Sequence, residues 1–210
     1  MNDSEETNVR RGPSARVSAI LTAAGESTRM GRPKPLLSWH GVTLVQYQIA
    51  GLLDAGVAEV VVVLGHRHRA VTPYVQGPSV RYVVNPDYRQ GKTTSITAGL
   101  RAIDPAAKGI LLLAVDQPRP SEIISAVMEA HAESGALITS PRFDGRGGHP
   151  LVFSHLLKGE LEDISEERQG VREVLRAHGS EVNEVEIDDP IVRLDLNTLD
   201  DYEQARVKLG

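Results

Sequence analysis

The feature that most constrains the fold is the run Glu59-Val60-Val61-Val62-Val63-Leu64, in which consecutive rather than alternate residues are apolar and β-branched. A strand with apolar side chains on both faces is typical of a parallel sheet that helices cover on each side. Similar runs stand at Val17–Thr22, Val80–Val84 and Ile110–Val115, separated by segments of helical periodicity. This alternation predicts right-handed crossovers and a mostly parallel three-layer α/β/α sandwich.

The second half of the chain is less regular. The sequence predicts that Thr43 caps a first long helix and that Ser121–Ser134 forms another, with its first residue as the N-cap. A turn-rich hairpin or flap is predicted over Pro141–Pro150, and strands over Val182–Ile187 and Ile191–Leu196. The other predicted elements are helices near Arg67–Val75, Thr93–Ile103, His155–Leu161, Val171–His178 and Thr198–Lys208, and a short strand at Ala136–Thr139.

Length and composition exclude several classes of protein. We interpret residues 15–210 as a single domain and the polar residues 1–14 as a disordered tail. A net charge of −5 and few aromatic residues argue against a nucleic-acid partner. The absence of cysteine excludes disulfides, thiolate metal sites and a thiol nucleophile. With no apolar run near the ~20 residues of a membrane helix and no signal-peptide core, we expect a cytoplasmic protein without a membrane partner.

The loop that follows the first apolar run carries the clearest chemistry. Small residues, Ala23-Ala24-Gly25, are followed by the cations Arg29, Arg32 and Lys34. Small side chains let a ligand approach backbone N–H groups, which bind phosphate oxygens. The loop lacks both the Walker A pattern and the dinucleotide fingerprint G-x-G-x-x-G. We therefore predict a polyphosphate cradle of another kind.

Four loops are predicted to meet at one edge of the sheet. They begin at Ala24, Gly65, Asn85 and Asp116, each at the end of an apolar run. Ligands of parallel sheets bind beyond the carboxyl ends of the strands, so these loops are expected to share one cleft. Asp116 is well placed there to hold Mg²⁺ against phosphates; its alternative role is an Asx turn or helix N-cap.

Asp195 and Asn197 form a second group of oxygen ligands near the C-terminus. They stand two residues apart, which puts their side chains on one face of an extended segment. The alternative is an ordinary turn at the end of a strand.

Between Ala23 and Lys34 the sequence reads A-A-G-x-S-x-R-M-G-x-x-K. This spacing resembles the signature of the nucleotidyltransferases related to the molybdenum-cofactor cytidylyl- and guanylyltransferases, the MobA/MocA-like NTP transferases. The resemblance covers about Val17 to Tyr202 and implies a Rossmann-like fold of the nucleotide-diphospho-sugar transferase type. In that family the loop wraps the triphosphate of the incoming nucleotide. The resemblance implies catalytic roles for Arg29 and Lys34, and nucleotide binding by Ala23, Ala24, Gly25, Glu26 and Ser27.

A second segment, Asn85-Pro86 followed by Gly91 to Leu100, is similar to a family segment whose Gly and Ser approach the base and ribose. The resemblance implies nucleotide-binding roles for Asn85, Gly91 and Ser95, and we add Gly65 from the neighbouring loop. It assigns no role to Lys92.

Metal ligands are also implied by the resemblance. In the family an Asp-x-Pro at this strand end binds the metal, so Asp116 is expected to bind Mg²⁺ or Mn²⁺ together with the nucleotide. The closing motif, commonly D-x-D-T-P-E-D or N-x-N-T-P-E-D, supplies the second ligand. Here Leu199 replaces the usual Pro, and either Asp195 or Asn197 is expected to ligate.

The acceptor region departs further from the family pattern. Gly148 and His149 resemble the G-H-P of the cytidylyltransferase branch, which implies that they bind the acceptor. Downstream, only Gly170 and Arg172 remain of that branch's G-D-x-G-A-R.

The resemblance implies transfer of a nucleoside monophosphate to a phosphorylated acceptor, with release of pyrophosphate. Ala24 rather than Gly, with the Gly-His-Pro, favours CTP over GTP and a molybdopterin-type acceptor. A molybdoenzyme would then receive the product. Two alternatives stay open: a transferase acting on methylerythritol phosphate or a sugar phosphate, and a non-catalytic module that binds a nucleotide or cofactor and delivers it to a partner enzyme.

Overall fold

A computed structural model describes residues 16–209. The predicted tail over residues 1–14 lies outside the described residues. The strands are β1 (Val17–Ala23), β2 (Ser38–Trp39), β3 (Val42–Thr43), β4 (Glu59–Leu64), β5 (Val80–Val84), β6 (Gly109–Ala114), β7 (Ile138–Phe143), β8 (Arg146–Gly147), β9 (Leu151–Ser154) and β10 (Val182–Glu186). Seven of them form the main path of one sheet, in the order β10-β7-β9-β6-β1-β4-β5, and β8 pairs with β7 at its side. A separate two-stranded ribbon consists of β2 and β3.

The centre of the sheet is parallel. Ile20 of β1 stands opposite Val61 of β4 on one side and Leu112 of β6 on the other. The sequence did not predict β9, which lies antiparallel between β6 and β7. The prediction of a mostly parallel sheet is confirmed, and all four apolar runs are strands.

Helices cover both faces of this sheet, as predicted. They are α1 (Leu44–Asp54), α2 (His68–Val71), α3 (Lys92–Leu100), α4 (Ser121–Ser134), α5 (Lys158–Glu162), α6 (Val171–Ala177) and α7 (Leu199–Leu209). Leu21 of β1 belongs to a core cluster that includes residues of α1, α4 and α7, whereas Ile20 packs on the other face with residues of α3, α5 and α6. None of the described helices is long and apolar enough to cross a membrane.

Two predicted helix starts had different outcomes. Thr43 caps α1 through a capping box, since its side chain accepts from the backbone N–H of Gln46 while the Gln46 side chain accepts from Thr43. The N-cap of α4 is Pro120 rather than Ser121, and no side chain caps that helix. Pro120 has the extended conformation of an N-cap (φ −67°, ψ 155°), so the cap lies one residue earlier than predicted and Ser121 is the first residue of the helix.

The strand predicted over Ile191–Leu196 is wrong. A 3₁₀ helix forms over Pro190–Arg193, and the side chain of Asp189 caps it by accepting from the Ile191 N–H at 2.8 Å. The hairpin predicted over Pro141–Pro150 is present as the antiparallel pair β7 and β8.

Candidate active site

The loop between β1 and α1 leaves the carboxyl end of the central strand. Ser27 has a left-handed backbone (φ 55°), and Gly31 has φ 65°, so the chain doubles back within a few residues. Met30 is buried and anchors the loop, while the Ser27 hydroxyl accepts a hydrogen bond from the Lys34 N–H at 3.0 Å. These contacts give the loop a defined shape.

This loop reaches the metal-ligand candidate on the neighbouring strand end. The Nζ of Lys34 lies 2.6 Å from Oδ2 of Asp116, with both side chains mostly shielded from solvent. Because β1 and β6 are adjacent and parallel, their carboxyl ends bring these residues together over 82 positions of sequence. The pair places one positive and one negative charge at the centre of the cleft.

The loops enclose a cleft of about 320 Å³ at the carboxyl edge of the sheet. Among the residues that line it are the cations Arg29, Lys34 and Lys92 but a single carboxylate, Asp116. This excess of positive charge suits a polyanionic ligand such as a triphosphate. The other lining residues are Thr22, Ala23, Ala24, Gly25, Ser27, Thr28, Met30, Pro35, Tyr88, Gly91, Ser95, Ala114, Val115 and Asn197.

The two C-terminal candidates differ in position. Asn197 lines the cleft with Asp116. Asp195 does not, and its Oδ1 accepts a hydrogen bond from Gln117 Nε2 at 2.8 Å. The backbone also joins the two segments, since the Leu196 N–H donates to the Asp116 carbonyl at 2.8 Å. Asp195 thus fixes the segment, and Asn197 faces the space beside the carboxylate.

Asn85 lies beneath the cleft wall rather than in it. It is buried, and its amide nitrogen donates to the hydroxyls of Thr94 (2.9 Å) and Ser95 (3.0 Å). Its Oδ1 accepts from the Asp87 N–H at 2.9 Å. Ser95 itself lines the cleft beside Gly91. Asn85 therefore holds the start of α3 in place.

Gly65 and Glu26 are also outside the cleft lining. Gly65 packs against Ala24, and a Cβ added there would lie 2.7 Å from the Ala24 carbonyl oxygen. Glu26 points to the next loop, where its Oε1 lies 2.7 Å from Nε of Arg89. The hydrogen bond from Arg89 lowers the pKa of Glu26. The loop after β1 is thus tied to the segment that carries Tyr88.

Arg119 is completely buried behind Asp116. Its guanidinium donates to backbone carbonyls of Pro118, His149, Val192 and Leu194, all at 2.9–3.0 Å. Burial lowers its pKa to about 10, so it stays charged at neutral pH. One side chain therefore joins the loop after β6, the end of the flap and the C-terminal segment.

The two acceptor-binding candidates lie at this junction, and neither lines the cleft. Gly148 packs so closely on Val192 that an added Cβ would overlap its carbonyl, and the His149 N–H donates to the same oxygen at 2.8 Å. The Nδ1 of His149 is buried and has no hydrogen-bond partner among the described residues. Burial, followed by the charge of Arg119, lowers the pKa of His149 to about 4, so its imidazole is neutral at physiological pH.

Four residues that shape this site have no role predicted from the sequence: Tyr88 and Lys92 in the cleft lining, and Gln117 and Arg119 behind it. Lys92 directly follows Gly91, so its position next to a family motif could have identified it as a cleft residue. No sequence signal identifies Arg119. Arginine is usually a surface residue, and the hydrogen-bond acceptors of Arg119 are backbone carbonyls, which do not depend on residue type.

The side chains at the cleft suit a hard divalent cation. Asp116 and Asn197 offer a carboxylate and an amide oxygen. Mg²⁺ is commonly held by one or two carboxylates together with substrate phosphates and water. Within residues 16–209 no group of three or more His, Cys, Asp or Glu residues could hold a metal alone. A cation here would share its coordination with a bound nucleotide, and the donor set fits that arrangement.

A mostly parallel sheet with a cation-rich loop at the carboxyl end of its central strand and a carboxylate on the neighbouring strand defines a nucleotide-binding α/β transferase. The family profile described as the MobA-like NTP transferase domain matches residues 19–182. The chain belongs to this family of nucleotidyltransferases.

Comparisons with individual proteins agree with this assignment. The chain is 33% identical over 199 residues to nicotine blue oxidoreductase of Paenarthrobacter nicotinovorans, covering 88% of this chain and 93% of the relative. It is 28% identical over 194 residues to the molybdenum cofactor cytidylyltransferase of Escherichia coli K12, covering 90% and 95%.

A solved structure, that of Rv0371c from Mycobacterium tuberculosis H37Rv, superimposes with a TM-score of 0.81 at 26% identity, covering 92% of this chain and 98% of that one. The same mycobacterial protein has been solved in complex with manganese, with a TM-score of 0.76 at 26% identity, covering 92% of this chain and 100% of that one.

Proposed function

We propose that the protein is a cytidylyltransferase that transfers CMP from CTP to a phosphorylated acceptor of the molybdopterin type and releases pyrophosphate. The observation that carries the proposal is the pairing of Lys34 with Asp116 in a cleft with excess positive charge. The name of the Escherichia coli relative supports the choice of nucleotide and acceptor. The proposal includes a cytoplasmic location and a molybdoenzyme as the recipient of the product.

In the proposed reaction an oxygen of the acceptor phosphate attacks the α-phosphorus in line. One P–O bond forms, the bond to the bridging oxygen breaks, and its electron pair leaves with pyrophosphate. No protein nucleophile takes part. The contribution of the chain is positioning and charge neutralisation.

The residues divide this work between them. Backbone N–H groups near Gly25 bind phosphate oxygens, and Arg29 and Lys34 stabilise the α-phosphate and the departing pyrophosphate. Bound Mg²⁺ or Mn²⁺ would neutralise charge between the phosphates, held by Asp116 and Asn197. We favour Asn197 over Asp195 as the second ligand because Asn197 lines the cleft, whereas Asp195 accepts a hydrogen bond from Gln117.

Lys34 has two roles in this scheme. Its ammonium group lies 2.6 Å from Oδ2 of Asp116 and neutralises that carboxylate. A divalent cation held by Asp116 would supply this neutralisation instead, and Lys34 would then be available to the phosphates.

The proposed positions of the cytosine base and of the acceptor come from the sequence motifs. The cytosine edge is proposed to approach Ala24 and Ser95, and the acceptor to lie towards Gly148 and His149. The neutral imidazole of His149 offers a hydrogen bond there without adding charge.

The test is pyrophosphate release by the purified protein with each of the four NTPs, with Mg²⁺ or Mn²⁺, and with molybdopterin cofactor, methylerythritol phosphate or a sugar 1-phosphate as acceptor. We expect release with CTP and molybdopterin cofactor. Release with another acceptor would reassign the substrate. CTP binding without turnover on any acceptor would favour a delivery module, and no NTP binding at all would overturn the proposal.

One further arm follows from the relative that is named an oxidoreductase. The same preparation is assayed for oxidation of reduced nicotinamide nucleotides in the absence of NTP, with nicotine blue, the compound in that relative's name, as the electron acceptor. We expect none, and rapid oxidation would replace group transfer with redox chemistry.

A further inference from the structure

The start of α3 forms one wall of the cleft and has no cap within its own segment. Helix α3 begins at Lys92, and its N-cap, Gly91, has no side chain that could accept from the first backbone N–H groups. Gly91, Lys92 and Ser95 all line the cleft. The first turn of a helix frays when its N–H groups lack partners. The shape of this wall therefore depends on contacts from outside α3.

Glu166 supplies the missing cap from a distant part of the chain. Its Oε1 accepts a hydrogen bond from the Thr93 N–H at 2.8 Å, across 73 positions of sequence. Thr93 is the second residue of α3, and its N–H is one of those that an N-cap side chain binds. A Cβ added to Gly91 would overlap the Glu166 side chain, so this side chain passes directly over the glycine.

The loop that carries Glu166 is itself held in shape. The Gln169 N–H donates to the Glu166 carbonyl at 3.0 Å, and the Gly170 N–H donates to the Ser165 carbonyl at 2.8 Å. Gly170 also packs on α3, since a Cβ added there would lie 3.1 Å from Cγ2 of Thr93. The loop between α5 and α6 thus contacts the start of α3 at two adjacent points, and Glu166 reaches Thr93 from a fixed base.

The charge of Glu166 opposes the binding of a polyanion. The cleft attracts anions through its excess of positive charge, and Glu166 adds a carboxylate beside Gly91 at its edge. On electrostatic grounds alone, removal of this carboxylate would strengthen nucleotide binding. A loss of nucleotide affinity on its removal would therefore come from the lost hydrogen bond and not from the lost charge.

We propose that Glu166 is a positioning residue for nucleotide binding, which caps α3 and thereby fixes Gly91 and Ser95 in the cleft wall. This inference rests on the proposed function, in which Gly91 and Ser95 bind the nucleotide and Arg29 and Lys34 act at the phosphates. Glu166 itself touches no substrate. Because the wall binds the nucleotide equally before and during transfer, its loss raises KM for the nucleotide and leaves kcat nearly unchanged.

The first test measures nucleotide affinity without turnover. The protein is titrated calorimetrically, in excess Mg²⁺, with the α,β-methylene analogue of whichever NTP it binds most tightly. Glu166→Ala removes the cap and the charge, whereas Glu166→Gln removes the charge and keeps an acceptor oxygen. Two variants serve as controls: Glu167→Ala has the same loss of charge at the adjacent exposed residue, and Thr43→Ala removes the N-cap of α1.

We expect Glu166→Ala to weaken binding of the analogue about 5-fold, the scale of one lost helix cap. Glu166→Gln, Glu167→Ala and Thr43→Ala are expected to stay within ~2-fold of the wild-type protein, although Thr43→Ala also lowers the midpoint of urea unfolding. In the pyrophosphate assay, Glu166→Ala raises KM for the NTP by a similar factor and changes kcat less than ~2-fold.

Unchanged or tighter binding of the analogue by Glu166→Ala would overturn the inference. An equal loss in Thr43→Ala would also overturn it, because the effect would then be one of general stability. An equal loss in Glu166→Gln would assign the effect to charge instead of position. Failure of the proposed function has a different signature: a wild-type protein that binds no NTP overturns both proposals, whereas one that binds NTP but releases no pyrophosphate leaves the calorimetric test decisive for Glu166.

Discussion

Two concave regions of similar size lie at opposite ends of the same strands. The cleft at the carboxyl ends measures about 320 Å³, and a second hollow at the amino ends of β1, β4 and β5 measures about 290 Å³. In the second hollow, Arg16 pairs with Asp104 at 3.3 Å and Arg81 with Glu59 at 2.7 Å. Glu59 also accepts hydrogen bonds from the Ser18 hydroxyl and the Asp104 N–H. The two arginines of this amino-end hollow are thus matched by two carboxylates. The carboxyl-end cleft, by contrast, has three cations for one carboxylate.

Volume alone therefore does not distinguish a binding site from a structural hollow. In the amino-end hollow the polar groups satisfy one another, and this stabilises the fold. In the carboxyl-end cleft, groups are held in place without complete neutralisation, which leaves them available for a ligand of opposite charge. Substitutions in the two regions are therefore expected to affect different quantities: turnover in the carboxyl-end cleft and stability in the amino-end hollow.

The largest expected effect is on turnover at the carboxyl-end cleft. Lys34→Ala and Asp116→Ala are each expected to lower kcat for pyrophosphate release at least ~100-fold, the scale for loss of a preorganised charge contact. The matched controls, Lys108→Ala and Asp104→Ala, carry the same changes of charge outside the cleft and are expected to keep near-normal kcat. Near-normal activity of either cleft variant would contradict the assignment.

The second effect, on stability, belongs to the amino-end hollow. Glu59→Ala leaves the buried Ser18 hydroxyl and the Asp104 N–H without their acceptor, and we expect the free energy of unfolding in urea to fall by about 2 kcal/mol. The kcat of the folded variant is expected to stay within ~2-fold of wild type. A loss of turnover comparable to that of Asp116→Ala would remove the distinction between the two regions.

The smallest effect tests whether the imidazole of His149 is buried at the end of the flap. The pKa of His149 is about 4 in the folded protein, against about 6.5 in an unfolded chain. Between these values the unfolded chain binds the extra proton, so stability falls as the pH falls. We expect about 1 kcal/mol to be lost between about pH 7 and pH 5.5. His149→Asn removes that part of the slope, and exposed His155→Asn, the control, keeps it; an equal slope in both variants would contradict the assignment.

The sequence predicted the parts of the molecule that rest on local patterns. Strand β4 needs only its consecutive valines, and α1 needs only its apolar face and the cap at Thr43. The meeting of Lys34 and Asp116 followed from parallel topology, because both stand after the carboxyl ends of adjacent strands. Periodicity and chain direction were sufficient for these features.

Features that depend on contacts between residues far apart in the sequence could not be predicted from local patterns. The alternating residues of Ile191–Leu196 have the period of a strand, but the carbonyls of Val192 and Leu194 bind Arg119 instead of a neighbouring strand. Strand β9 runs against its neighbours, which the parallel pattern did not suggest. Asp195 and Asn197 are equivalent in the sequence pattern, and the structure separates them: Asp195 accepts a hydrogen bond from Gln117, whereas Asn197 lines the cleft.

Arg119 has a consequence for how the specificity of such a protein can change. All four of its acceptors are main-chain carbonyls, so the segments that it joins are recognised by their path and not by their side chains. Side chains on the flap and on the C-terminal segment can therefore be exchanged while the frame that holds Asp116 and Asn197 together persists. A designer who wished to redirect the enzyme to a new acceptor could graft whole loops onto this frame, provided that the buried guanidinium and the backbone route around it are retained.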